Sequence, residues 1–378
     1  MKIWNNLKTK IKKLSKSDIR ILVFTIIVAI IMLFPSGYIR NDVTHGKVIE
    51  VLQDSKSKNQ LSRSKVKVKI LNGEFKGKVI TMDNLVSDKA KHQISAKKGS
   101  EVFVNIEADK NNKITKSYIY EIVRYKYILG IVVVFFLLLS LMGGMQGVRS
   151  VLALMITGYA VLKILIPLIM SGFSPIISSV IICIGVSIIN LLIISGKNKK
   201  SFAAIIGTLG GVMIAGIIAL ISSSILQILG LGDEEAQMVI YITGNTKFDF
   251  KGLLFAGILM GALGAVMDIS MSIASSMKEV KANNPAMTNM ELIKAGFNVG
   301  RDIMGTMANT LILAYAGGAM YTLILMASYN LPFERMLNQD VMSAEILQAL
   351  CGSIGLIFTI PITTLAVNFI GTDPYEKK

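Results

Sequence analysis

Runs of apolar residues long enough to cross a bilayer are the feature that most constrains this chain. Eight runs of about 18–28 residues occur, and about 20 residues cross a 30 Å hydrocarbon layer. Only 17% of the residues are charged, against about 25% in a soluble domain, so a single soluble globule is excluded. The sequence therefore predicts an α-helical integral membrane protein with about eight transmembrane helices, at 20–39, 127–144, 149–171, 175–195, 202–229, 252–276, 303–328 and 345–370.

The first run has two interpretations. A basic stretch at 1–20 precedes an unbroken apolar run at 21–34, which is the pattern of a secretory signal peptide. The chain then continues Pro35-Ser36-Gly37, without an A-x-A-like cleavage site. We favour an uncleaved signal anchor at 20–39, with a cleaved signal peptide as the alternative.

Loop charges predict the orientation. Seventeen Lys and Arg residues lie on the side of the termini and three on the opposite side, so the positive-inside bias places both termini in the cytoplasm of a bacterial plasma membrane. The segment 40–126 lies outside although it is basic, because long segments cross largely regardless of charge. The net charge of +16 thus combines an inner-leaflet anchor with a basic outer domain, and nucleic acid is excluded as a partner. The predicted parts are a cytoplasmic N-terminus 1–19, the anchor 20–39, an outer domain 40–126, a seven-helix membrane domain 127–371 and a cytoplasmic tail 372–378.

The outer domain has the pattern of a small all-β barrel. Asn72-Gly73 between two alternating runs predicts a hairpin, because both turn positions favour positive φ. Five short strands indicate a partly open barrel of OB or SH3-like type, at 43–52, 65–71, 75–82, 101–108 and 114–123. His45 and His92 are the only histidines and have no partner at metal-ligand spacing, so neither a metal site nor a cofactor is predicted.

Three strongly polar side chains lie well inside apolar runs: Lys163, Asp268 and Asn309. A charge at membrane depth costs at least about 2.5–3.5 kcal/mol on insertion scales, so such a charge is usually paired or functional. The long stem of Lys163 can reach the interface, whereas Asp268 is too short to do so. Asn190, Gln227 and Asn368 lie near span ends and are interpreted as helix-end residues.

The sixth and seventh predicted spans contain a candidate site. Small residues recur at helical spacing beside Asp268, which is typical of helices that approach closely in lipid; they are Gly257, Gly261, Gly264, Ser272 and Ser275, with Gly305 on the returning span. An antiparallel register places Asp268 level with Asn309, and Ser272 level with Thr306. These four residues form either an ion or solute site or merely a polar contact between two helices, and both interpretations stay open.

The loop between these spans contains Thr288-Asn-Met-Glu291, a capping box. It predicts a short interfacial helix that ends at Gly296. Arg301 and Asp302 then open the seventh span, where an acid complements the helix dipole. Lys163, Arg301 and Asp302 are secondary site candidates.

Several motifs resemble one bacterial family. They are Gly261-Ala-Leu-Gly264-Ala-Val-Met-Asp268, Ser272-Ile-Ala, and the run from Gly300-Arg301-Asp302 through Thr306 and Asn309 to Tyr315. On these residues the chain is similar to the YibE/F family of multi-pass proteins over about 43–371, departing at Ala308, where Thr is commoner. The resemblance implies an inner-membrane protein of this topology and a permease role as an expectation, with no defined substrate.

Two function classes remain from the residues. The first is a transporter or ion-coupled permease that binds a small solute or ion at Asp268, Ser272, Thr306 and Asn309. The second is a non-transporting envelope protein whose outer β domain binds a protein partner while the helices anchor it in the lipid bilayer. No catalytic motif is present, and an intramembrane aspartyl protease would need a second aspartate at the depth of Asp268, so no enzyme is predicted. The oligomeric state is left open.

Overall fold

The computed structural model describes residues 44–52, 64–84, 96–109, 114–232, 234–243, 248–329 and 331–371. The chain divides into two compact units, with the boundary between Met142 and Gly143. The predicted anchor at 20–39, both termini and His92 lie outside the described residues. The chain is mostly helical and carries a small, mainly antiparallel sheet before the long helices.

Five strands form a closed barrel: β1 Thr44–Leu52, β2 Ser64–Ile70, β3 Val79–Asn84, β4 Glu101–Ala108 and β5 Ile114–Ile122. Their order is β1-β2-β3-β5-β4, and every pairing is antiparallel except that of β3 with β5. Alternate residues fill the interior, among them Val66 and Val68 of β2, which are fully buried. The sequence thus predicted the five strands and the β2–β3 hairpin, but the barrel is closed rather than partly open as predicted.

The start of the third strand is corrected. It begins at Val79 rather than at residue 75, because Phe75 turns its ring into the barrel interior from the preceding loop. Gly73 in that loop has φ of 78°, but Asn72 does not have positive φ and residues 71–78 connect β2 to β3, so the tight turn predicted at Asn72-Gly73 is wrong although the hairpin is present. His45 is half-buried, and its ring makes an edge-to-face contact with the ring of Phe103. The two ring centroids lie 4.8 Å apart.

Among the described residues, five helices are long and apolar enough to cross a membrane, and a bent pair makes a sixth candidate. The helices are α1 Tyr125–Met170, α2 Pro175–Ser195, α3 Lys199–Ile225, α4 Glu234–Thr243, α5 Phe250–Asn283, α6 Asn289–Gly318, α7 Met320–Ser328, α8 Phe333–Leu337 and α9 Asp340–Ile370. The segments predicted at 127–144 and 149–171 are joined in α1, whose backbone is non-helical at Gly144.

A π-helical turn interrupts α1 at Ala160–Leu165. Pro167 follows and has no N–H to donate, so the regular helical hydrogen bond to the Lys163 carbonyl cannot form. The Ile166 N–H donates to the carbonyl of Val161, five residues back rather than four, which is the hydrogen-bond spacing of a π-helix. Lys163 therefore lies exposed on a locally widened turn.

The loop region before the seventh predicted span is also corrected. The capping box is present, with Thr288 Oγ1 accepting from the Glu291 N–H and the Glu291 carboxylate accepting from the Thr288 N–H. The helix it opens does not end at Gly296 but continues as α6. Gly296 and Gly300 are buried inside α6, where an added Cβ would lie 2.8 Å from Thr364 Cγ2 and 2.3 Å from Ile360 Cγ2, respectively. Both glycines are therefore needed for close packing against α9 rather than for ending the helix.

The predicted span at 303–328 is broken rather than straight. Its second half is α7, which is bent by 62° from α6 across Ala319. Gly317 and Gly318 close the last turn of α6, where their low helix propensity favours a break.

The core of the helical unit lies where α3, α5 and α9 meet. Gly211 of α3 faces Thr359 and Gly355 of α9 so closely that an added Cβ would lie 1.9 Å from Thr359 Oγ1 and 2.9 Å from the Gly355 carbonyl oxygen. Between α3 and α5, the buried hydroxyls of Thr208 and Ser270 lie 2.6 Å apart. Glycines and hydroxyl-bearing side chains thus allow these three helix backbones to approach closely, as in close-packed membrane helices.

Candidate functional site

The helices α5 and α6 pack antiparallel, and two contacts define their register. At one end, a Cβ added at Gly296 of α6 would lie 2.6 Å from Met277 Sδ of α5. At the other end, a Cβ added at Gly261 of α5 would lie 1.9 Å from the Tyr315 hydroxyl of α6. Asp268 and Asn309 fall between these contacts and within about one turn of each other in depth.

Asp268 lies on the side of α5 that faces away from the core. Val266, Ile269 and Ile273 point inward and are fully buried, whereas Asp268 is exposed. Among the described residues, no hydrogen bond or ion pair joins Asp268 to another group. Its carboxylate is therefore accessible in the middle of a helix that is long and apolar enough to cross a membrane.

The other three predicted residues lie on the same two helices without bonding to Asp268. Asn309 and Thr306 are exposed on α6, and Ser272 is half-buried on α5. The Thr306 hydroxyl donates to the Ile303 carbonyl of its own helix at 2.8 Å. The structure thus brings the four residues to adjacent helices at similar depth, and within the described chain no hydrogen bond links them.

The packing role predicted for the small-residue stripe is corrected at two positions. No atom lies within 4 Å of a Cβ added at Gly264 or at Gly305, so neither glycine allows a close helix contact in the described chain. At Gly257 the nearest atom is Gln348 Nε2 of α9, at 3.9 Å. Gly261 alone of the four predicted packing glycines is tightly covered, by Tyr315. The stripe beside Asp268 is therefore open.

The secondary candidates lie on two different helices. Arg301 and Asp302 are exposed in the middle of α6 rather than at its start, so the helix-capping interpretation of Asp302 is wrong. Lys163 lies on the π-helical turn of α1. The atoms nearest to a Cβ added at Gly261 or Gly257 belong to Tyr315 and Gln348 and to none of these three residues.

A second polar group, which the sequence interpretation missed, lies where α6 breaks. A cavity of about 190 Å³ opens between α6, α7 and α9 and is lined by Tyr315, Glu345 and a set of apolar side chains. The Tyr315 hydroxyl is shielded from solvent, with Gln348 and Glu345 as its polar neighbours. Glu345 and Gln348 are three residues apart near the start of α9, a spacing that places both on one side of a helix and that could have drawn attention to them.

Comparison with protein families covers almost the whole described chain. A model described as YibE/F-like protein matches residues 131–373, and one described as YibE/F family N-terminal domain matches residues 39–122. The chain belongs to the YibE/F family. No curated protein and no solved structure matches it.

The family assignment fits the division of the structure. In this YibE/F protein the N-terminal family domain contains all five strands of the barrel, and the second match contains α2 to α9 in full. The motif from Gly300 to Tyr315 that carries the resemblance lies within α6, and it ends on the tyrosine that covers Gly261. Neither family description names a reaction, a substrate or a partner.

Proposed function

We propose that this YibE/F protein is a multi-pass permease of the bacterial cytoplasmic membrane, coupled to a proton or cation that binds at Asp268. The observation that carries the proposal is the exposed carboxylate on α5, which has no partner among the described residues although its helix is of membrane-spanning length. A carboxylate facing lipid alone would be costly. Exposure to a water-filled path, which admits ions, removes that cost.

The surrounding residues suit ion exchange. Ser272, Thr306 and Asn309 supply oxygen atoms that can bind a cation without adding charge, and Gly264 and Gly305 leave open space beside the carboxylate. Asp268 can then release its ion when α6 moves relative to α5. Both termini are proposed to face the cytoplasm, on the loop-charge bias.

Ion flux through purified protein in liposomes tests the proposal. With a pH-sensitive dye or radioactive sodium and an imposed potassium diffusion potential, we expect wild-type protein to move protons or sodium faster than empty liposomes. Asp268→Asn should abolish this flux while keeping expression and elution volume, and Asp268→Glu should retain part of it. Glu279→Gln, an exposed acid on the same helix as Asp268, is the matched control and should transport normally.

Two outcomes contradict ion coupling at Asp268. One is wild-type protein that moves neither ion above the empty liposomes. The other is an Asp268→Asn variant with full flux, since asparagine keeps hydrogen bonding and removes the charge.

The barrel supports a second candidate function, in which it binds an acidic envelope protein. Lys65, Lys67 and Lys69 alternate along β2, and Lys47 of β1 lies opposite Lys69. All four point away from the filled interior, because the intervening valines are buried. We propose that the barrel is of the OB type, which its strand order fits, and OB barrels use an exposed face for binding. Wild-type protein that moves neither ion above the empty liposomes would favour this candidate.

A further inference from the structure

One side of α6 carries a regular line of exposed residues, which we call the α6 seam. Its members follow one another at alternating steps of four and three, the spacing by which one helix packs along another. They are Asn298, Asp302, Gly305, Asn309 and Ile312. The buried residues Gly296, Gly300 and Leu311 lie on the opposite side of the helix. The seam therefore faces away from the rest of the helical unit.

The middle of the seam is small and polar, although α6 and α7 together are apolar enough to cross a membrane. Lipid tails offer no hydrogen bond to the amide of Asn309, whereas a neighbouring helix does, and glycine lets two helix backbones approach. Within the described ranges, no atom lies within 4 Å of a Cβ added at Gly305. Ile312 continues the seam with an apolar side chain that is 42% exposed, which suits a protein surface better than water.

The charges at one end of the seam are complementary to themselves. Asp302 lies on the seam, and Arg301 flanks it on the same exposed side. Neither forms an ion pair or a hydrogen bond with any other described residue. A two-fold axis along the membrane normal places equal residues of two copies at equal depth. Each Arg301 then lies level with Asp302 of the second copy, so the surface suits another copy of itself.

We propose that the α6 seam is the interface of a two-fold homodimer. In this interface, Gly305 allows close approach, the two Asn309 amides hydrogen-bond to each other, and Arg301 pairs with Asp302 of the second copy. A single asparagine at such a seam fixes the register of two parallel helices. Two-fold dimers are also the commonest closed assembly of identical chains.

The second copy also bears on Asp268 of α5. Asp268 and Asn309 are both exposed and lie within about one turn of each other in depth, so a copy seated on Asn309 separates this layer from lipid. The Asn309 nitrogen donates across the interface, and its oxygen stays available to an ion. This role rests on the proposed function, whereas the dimer itself does not.

Cysteine crosslinking in membranes tests the geometry. Oxidation of Asn309→Cys protein with copper phenanthroline should give a disulfide-linked dimer on a non-reducing gel. Thr310→Cys is the matched control: it is exposed at nearly the same depth but points about 100° away around α6, so it should crosslink several-fold less. Wild-type protein gives the background, because Cys183 and Cys351 are buried.

Charge exchange tests the ion pair. The dimer dissociation constant of the purified full-length protein is measured by sedimentation equilibrium in detergent. Arg301→Asp or Asp302→Arg alone should weaken the dimer about tenfold or more, because like charges then meet. The double variant Arg301→Asp with Asp302→Arg should recover most of the affinity. Arg335→Asp, the same reversal at an exposed residue of α8, is the matched control and should dimerise as wild type does.

Folding of each variant is checked by elution volume and thermal unfolding, and the double variant keeps the test informative if a single variant is unstable. The proposal is overturned by wild-type protein that stays monomeric, by equal crosslinking at 309 and 310, or by single reversals without effect on the dimer. A monomer would instead leave the seam to the predicted anchor at 20–39. A wild-type dimer without ion flux rejects the proposed function and keeps this interface, whereas ion flux by a monomer rejects only the interface.

Discussion

Gly211→Ala should separate two helices at the centre of the molecule. The added methyl carbon would lie 1.9 Å from Thr359 Oγ1, 2.9 Å from the Gly355 carbonyl oxygen and 2.9 Å from Val266 Cγ1. Thr359 cannot simply rotate away without cost, because its hydroxyl donates to the Gly355 carbonyl at 2.8 Å. The Gly355 contact is with backbone, so α3 and α9 must move apart. Overpacking of a filled core costs about 1–3 kcal/mol, and this case falls at the upper end because backbone has to shift.

Thermal unfolding in detergent measures the effect. A change of 1 kcal/mol lowers Tm by about 2–4 °C in a unit of about 150–250 residues, close to the size of the helical unit, so Gly211→Ala should lower it by about 6 °C or more. Gly185→Ala in α2 is the matched control, because no atom lies within 4 Å of its added Cβ and alanine is the better helix former. Gly211→Ala protein that unfolds at the temperature of the control would refute the close packing of α3 on α9.

Two further predictions concern the α6 start and the orientation. Thr288→Ala removes the capping hydroxyl of α6 and should cost about 1 kcal/mol, seen as a lower Tm, whereas Thr288→Ser should restore it; equal Tm for all three proteins would contradict the cap. An impermeant thiol reagent should label Lys76→Cys but not Asn284→Cys in intact cells, and the reverse pattern would invert the topology. Wild type is the background control, because Cys183 and Cys351 are buried.

Local chemistry was sufficient to predict many elements of this fold. The alternation of β2 and the Asn72-Gly73 turn predicted the hairpin, and Thr288 with Glu291 predicted the helix start. These signals depend on neighbours in sequence. The continuity of α6 past Gly296 depends instead on Thr364, which is distant in the chain, so the glycine was interpreted as a helix end.

The break after Gly318 was missed for a related reason. Hydropathy continues evenly across 303–328, and a window of that length averages over a single non-helical residue at Ala319. Glu345 and Gln348 were treated as the start of an apolar span for the same reason. Only the arrangement of α6 and α9 places them beside Tyr315.

Glycine spacing alone could not distinguish packing from openness. Gly207 and Gly211 of α3 have the same spacing as Gly257 and Gly261 of α5, yet both α3 residues lie against threonines of α9, whereas Gly257 has only one atom within 4 Å of an added Cβ. The difference between these glycines lies in the residues that the neighbouring helix places against them. The sequence of one helix does not contain that information.

That distinction bears directly on Asp268. If Asp268 and the polar residues level with it only joined two helices, the small residues around Asp268 should be covered by neighbouring backbone, as Gly211 is. Gly264, one turn away from Asp268, has open space instead, and within the described chain no partner offsets the charge. Asparagine at this position would provide hydrogen bonding without the insertion cost of about 2.5–3.5 kcal/mol. A helix-joining role therefore gives no reason for a carboxylate at this position, whereas the proposed binding and release of an ion would use its charge.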